Sequence, residues 1–225
     1  MRGWLAGAVM ITLSVSAPTT TASEPVASLV LPDVIQTGGM PLTQALHERR
    51  SVRSYGREPL SLRDLAQLLW AAQGISEPEQ GFRTAPSAGA TFPLEVDVLI
   101  TGISELQDGI YRYRPDQHSL ELRVPGDRRR ELQSAALGQS SIGNAPAVMV
   151  ISAVIPRTAR RYGQRAERYV HMEAGHAGQN VYLQGTALGI GTVAIGAFQE
   201  DQVAAALNLG RSEEPLYILP LGHMR

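Results

Sequence analysis

Residues 94–100 read Leu-Glu-Val-Asp-Val-Leu-Ile, an alternation of period two that predicts a strand. The runs Gly109-Ile110-Tyr111-Arg112-Tyr113 and Ser119-Leu120-Glu121-Leu122-Arg123-Val124 flank Pro115-Asp116 and predict a hairpin. Ala147-Val148-Met149-Val150-Ile151-Ser152 is a continuous apolar run and predicts a central strand. Gly189 to Phe198 predicts a buried strand with glycine on both sides, and Leu216-Tyr217-Ile218-Leu219 closes the sheet. Elsewhere the period lengthens to that of a helix. Leu42, Ala45 and Leu46 predict a short helix reaching Arg49, and Ser61 is an N-cap for a helix that carries Leu62, Leu65, Leu68 and Leu69 and ends near Gly74. The longest helical pattern covers residues 160–188, where Ala174, Ala177, Val181 and Ala187 allow close packing, and Asp201 to Leu207 is a further short helix. Strands mixed with helices, a hairpin among them, predict an α+β fold.

Residues 24–40 hold Pro25, Pro32, Gly38 and Gly39 with no sustained period and read as an extended arm ahead of a domain spanning 41–225. Residues 1–23 combine Arg2, an apolar run from Leu5 to Val15 and small residues before Glu24, the form of a secretory signal peptide. The run is shorter than the ~20 residues that span a bilayer. Cleavage after Ala22 or Ser23 and an exported, extracytoplasmic protein are expected, with an uncleaved anchor or a cytoplasmic chain as the alternatives. A net charge of −1 supplies no global field for nucleic acid, so no nucleic-acid partner is expected. Zero cysteines exclude disulfides and thiolate metal sites. His171 and His176 are five apart, off the same-face spacing of a zinc helix, and no metal is expected.

Charged residues make up 18% of the chain, and a basic stretch follows the first predicted helix. Arg49-Arg50-Ser51-Val52-Arg53 brings three guanidinium groups and a hydroxyl together, donors that match phosphate oxygens, although a basic run also suits a solvated face. The cluster follows a helix C-terminus, where the dipole is negative, so side chains rather than backbone must bind an anion. Pro86-Ser87-Ala88-Gly89-Ala90-Thr91-Phe92-Pro93 is a small-residue loop held stiff by prolines at both ends, with little to obstruct a flat ligand. Gly196-Ala197-Phe198 comes late in the chain. Together with Glu173-Ala174-Gly175-His176, Gln179-Asn180 and Leu219-Pro220-Leu221-Gly222, these motifs resemble the FMN-dependent nitroreductase superfamily, in its SagB-type dehydrogenase branch of azoline oxidase relatives.

The resemblance covers roughly residues 41–223 and implies a nitroreductase-like homodimer with a mostly antiparallel central sheet flanked by helices. It implies FMN held at its phosphate and ribityl chain by Arg49, Arg50, Ser51 and Arg53, with His223 and Arg225 where relatives place a Lys or Arg. Pro86, Ser87, Ala88 and Gly89 would follow the flavin edge, and Gly196 and Ala197 would bring a backbone amide near N5. Tyr162, Arg168 and Tyr169 are the side chains expected to face substrate. The absence of a Gly-x-Gly-x-x-Gly turn after a strand favours FMN over FAD. The implied activity is hydride transfer between flavin and a small organic substrate, nitro, quinone or azoline-like. A flavin-binding protein without turnover, acting as carrier, sensor or subunit of a peptide-modifying complex, is the alternative. An exported chain would take electrons from a quinone or small redox protein rather than from free nicotinamide.

Overall fold

A computed structural model describes Met1 and residues 28–225, so the expected signal segment lies outside the described residues. Seven strands form one sheet: β1 (Ser28–Val30), β4 (Leu94–Ile100), β5 (Gly109–Arg114), β6 (Ser119–Pro125), β7 (Ala147–Ala153), β8 (Ile190–Thr192) and β9 (Glu214–His223), while β2 (Ile75–Glu77) and β3 (Phe82–Arg83) make a separate ribbon. Their order is β1-β6-β5-β4-β7-β9-β8, and every pairing between neighbours is antiparallel. The helices are α1 (Leu42–Glu48), α2 (Leu62–Gln73), α3 (Arg129–Ala135), α4 (Ser140–Gly143), α5 (Ile155–Tyr162), α6 (Ala166–Leu188) and α7 (Glu200–Leu207).

Alternation along the central strands sorts side chains into two cores. Ala147, Met149 and Ile151 of β7 join Leu65, Leu68 and Leu69 of α2 and Val170, Ala174, Ala177 and Val181 of α6. Val148 and Val150 join Leu132 of α3, Ile142 of α4 and Val203 and Leu207 of α7 on the opposite face. The result is a helix–sheet–helix sandwich whose middle strands carry apolar residues on both faces. A charged network sits within it. Arg112 of β5, 3% exposed, donates to both oxygens of Asp97 at 2.8 Å and to Glu95 and Glu213 at 2.8 to 3.1 Å.

Most expected elements stand where their periods place them, and three departures have physical causes. The pattern over 160–188 is two helices, because Gly163 takes φ 54 and turns the chain between α5 and α6. The strand expected over Gly189 to Phe198 pairs with β9 only through Thr192, with one further bridge at Ile195↔Ile218, and Gly196 and Ala197 stand exposed beyond it. The small face of α6 packs closely, as its residues allow, on this chain's own sheet, where Ala174, Ala177 and Val181 are all but inaccessible. Part of the expected arm also does more than lead in, since Ser28–Val30 pairs with β6 as an edge strand.

Candidate functional site

α6 crosses the sheet with its apolar stripe down, and functional groups gather along both of its flanks. On one flank the chain leaving α1 runs along the edge of β8. Val52 donates its N–H to Thr192 O at 2.8 Å, and Ser51 bridges Thr192 in parallel. An extended segment sends alternate side chains to opposite sides. Val52 packs against Gly191, while Ser51 and Arg53 are exposed and Arg49 half-exposed. Tyr182 of α6 ties this flank together: its hydroxyl accepts the Ala194 N–H at 2.8 Å and shares a hydrogen bond with Ser51 Oγ at 3.0 Å. Arg49 lies over its ring at 5.1 Å, within cation–π range. Gly196 and Ala197 follow on the same flank.

Arg50 departs from the expected cluster. Its guanidinium turns back to donate to His47 O and Arg49 O, 2.7 Å each, because the negative end of α1 attracts a cation and leaves carbonyls unpaired. The C-terminal residues do arrive nearby: His223 pairs with Ile190 and its carbonyl accepts from Gly56, while Arg225 Nε donates to Tyr55 O at 2.8 Å. Arg225 lines a polar cavity of 710 Å³ with Arg57, Asp108 and Arg129.

On the other flank of α6 lies the loop Pro86 to Pro93. Gly89, Ala90 and Phe92 take φ values of 61, 53 and 43°, a left-handed path that only glycine adopts without strain. α5 fastens the far half of this turn. Arg157 donates to Phe92 O, Arg161 to Gly89 O, and Thr158 bonds Thr91 at 2.8 Å. A methyl group on Gly89 would stand 2.7 Å from the Tyr162 hydroxyl, so Tyr162 lies directly against the loop, and Tyr169 meets it edge to face at 5.0 Å. Tyr162 and Tyr169 are thus brought to Gly89. Arg168 is exposed and lines a separate depression with Gln164, Glu167, His171 and Met172.

Glu173 of α6 sits behind the same loop and is 3% exposed. Burial pushes its carboxyl up to about 7, while Ser87, the Arg83 charge and the Ala88 N–H pull the other way. Oε1 is nonetheless left without a hydrogen-bond partner. Arg83 of β3 donates to Gln73 and lies over the Phe92 ring at 4.5 Å. Sequence reading passed over the roles of Glu173, Tyr182 and Arg161. Glu173 had a signal, since it interrupts the stripe Val170, Ala174, Ala177 and Val181 with a carboxyl. Tyr182 had none beyond its place after Gln179-Asn180, because its partners come from Ala194, just past β8, and from the segment after α1.

Known proteins match both the sequence and the architecture. The Nitroreductase family profile matches residues 46–223. MJ1384 of Methanocaldococcus jannaschii, which carries a nitroreductase name, is 45% identical over 85% of this chain and 94% of its own length. The microcin B17-processing protein McbC of Escherichia coli is 27% identical over 72% of this chain and 62% of its own, so this chain spans less than two thirds of that relative. A crystal structure from Ralstonia eutropha, also bearing a nitroreductase name, superposes with a TM-score of 0.79 at 33% identity, covering 88% of this chain and 90% of that one.

Proposed function

We propose, for a chain that belongs to the nitroreductase family of oxidoreductases, an FMN-dependent enzyme that moves hydride between flavin and a small nitro, quinone or azoline-like substrate. The observation that carries this reading is the Tyr182 junction, which fixes Arg49 and Ser51 at one end of β8 while holding the Ala194 amide just before the open Gly196-Ala197 backbone. The residues fit the group. Arg49, Ser51 and Arg53 would hold its phosphate, while His223 and Arg225 reach the same chain segment further on, at Gly56 and Tyr55, and within 4 Å only Tyr217, at 3.9 Å, meets a methyl group built on Gly196, so a flat ring has room. The chemistry FMN supplies when bound is two-electron exchange at ring nitrogen N5.

The chain's own part is to bind, orient and keep water out. A backbone amide at Gly196 or Ala197 offers a fixed donor dipole, worth more in a desolvated site than in water. Tyr162, steadied by Tyr169, stands where it can hold a proton near substrate. α6, with a diameter of about 10 Å, separates the Arg49–Arg53 flank from the Pro86–Gly89 loop. A homodimer resolves this, because a second copy brings its loop to the first copy's phosphate end. Leu42 and Leu46 on α1 and Met172 on α6 are exposed apolar side chains that such a contact would cover.

The test is anaerobic stopped flow. Protein with photoreduced FMN is mixed with a quinone or a nitroarene, and protein with oxidised FMN with an azoline peptide, which gives up two electrons on becoming an azole; the reading requires reoxidation by an acceptor, or reduction by the azoline, that saturates and exceeds the rate with free FMN. Flavin oxidation by the quinone and the nitroarene, and flavin reduction by the azoline, all no faster than with free FMN would favour a flavin carrier. McbC's name as a processing protein is the reason to include the azoline peptide.

A further inference from the structure

We infer that Glu173 is a positioning residue of this site, which sets the turn Ser87–Gly89 against the flavin by accepting hydrogen bonds from the Ser87 hydroxyl and the Ala88 N–H. The inference rests on the flavin reading above.

The turn needs holding, because Ala90 and Phe92 both sit in a backbone region that side chains resist. α5 secures the far half through Arg157, Thr158 and Arg161, leaving Ser87 and Ala88 to whatever lies beneath. What lies beneath is Glu173. Ser87 Oγ already accepts the Phe92 N–H at 3.0 Å, so its own proton is free to point elsewhere, and the Glu173 carboxyl is the acceptor beside it. A carboxyl buried to 97% with Oε1 unpartnered carries an uncompensated cost, and a packing role would be served by alanine or leucine. Hydrogen bonds of functional groups are often loose before the ligand binds and tighten with it. The open acceptor is therefore poised for the Ser87–Ala88 segment to close onto it when the ring docks.

The charged neighbours are few. Arg83 from β3 is the charge that faces Glu173, and it is shared with Gln73 and the Phe92 ring. α2 offers the neutral Gln73, while Glu95 of β4, Tyr113 of β5 and Arg157 of α5 act on Arg83. Tyr169 and His176 lie one turn to either side on α6, and Tyr162 and Arg161 meet the loop at Gly89. With burial carrying Glu173 up to about 7, its acceptor form fills only above neutrality.

The experiment measures FMN dissociation constants from pH 5.5 to 8.5 for the wild type, Glu173→Gln and Ser87→Ala, with melting temperatures of the flavin-free proteins. The phosphate's own titration is common to all three and cancels in the ratios. Glu173→Gln should bind about tenfold more weakly at pH 8.5, the loss of one hydrogen bond to a charged acceptor, and converge on the wild type at pH 5.5. Flavin-free Glu173→Gln should melt several degrees higher than the wild type at pH 8.5, because it removes a buried charge. A residue that serves the fold alone would lose both. Ser87→Ala should repeat the weakening at high pH, and reports even where Glu173→Gln does not fold. Ratios constant across pH would overturn the inference while leaving the flavin reading intact; no FMN binding by the wild type would overturn both.

Discussion

Arg112 shows how one side chain can decide stability. It is nearly inaccessible yet satisfies Asp97, Glu95 and Glu213 together, so removing it strands carboxylates inside the sandwich. Arg112→Met is expected to cost about 3 to 5 kcal/mol, the range for breaking a buried ion pair, read from urea unfolding at pH 7. Burial alone would raise Glu213, but the hydrogen bonds and charge of Arg112 win and hold it at about 2, down from 4.5. A depressed folded-state value contributes stability that is present above 4.5 and lost as pH falls through about 2. Melting temperature should therefore drop over that window, and Glu213→Gln should flatten the drop. An unchanged acid limb in that variant would assign the loss to other carboxylates. Glu173 has the opposite sign, its raised value contributing stability below 4.5 that fades as pH rises through about 7.

Elements carry the site by exact backbone approach. Gly191 of β8 has no room for a methyl group, which would stand 2.6 Å from Val52 Cβ, and Val52 is β-branched and cannot swing aside. Gly191→Ala should push the Ser51–Arg53 segment off the sheet edge. FMN affinity is expected to fall by about tenfold or more, the scale of one lost hydrogen bond to a charged group, measured by fluorescence titration. Unaltered affinity would show that β8 does not set the cluster. This is also where sequence reading stops. The strands at 94–100 and 147–152 and the cap at Ser61 were legible because period and capping are local, and Ser61 does accept the Asp64 N–H at 3.1 Å. The left-handed turn at Ala90 and Phe92 and the Tyr182 junction depend on partners far away in sequence, whereas the break at Gly163 is a local glycine signal that the helical period over 160–188 overrode. The motif order marked Arg49, Ser51 and Arg53 as neighbours, but the withdrawal of Arg50 onto α1 follows from a helix end that the sequence shows and an orientation that it does not.

At the scale of the whole molecule the two flanks of α6 are the organising fact, since Tyr182 meets Arg49 and Ser51 on one side of the helix and Glu173 meets the Pro86–Gly89 loop on the other. The proposed second copy joins them. Light scattering is expected to return twice the chain mass with flavin bound, and Met172→Glu, which places charge on an exposed part of α6, should lower both dimer content and flavin content. A monomer that keeps its flavin would separate the two. The most direct test of the account is flavin titration of the purified protein, followed by visible absorbance and release of the ligand on denaturation. The account requires FMN bound without a covalent link, with Arg49→Ala and Arg53→Ala each weaker by about 1.5 to 3 kcal/mol, the range for hydrogen bonds to charged groups. Colourless wild-type protein that takes up no FMN, or flavin content unchanged in both variants, would contradict it.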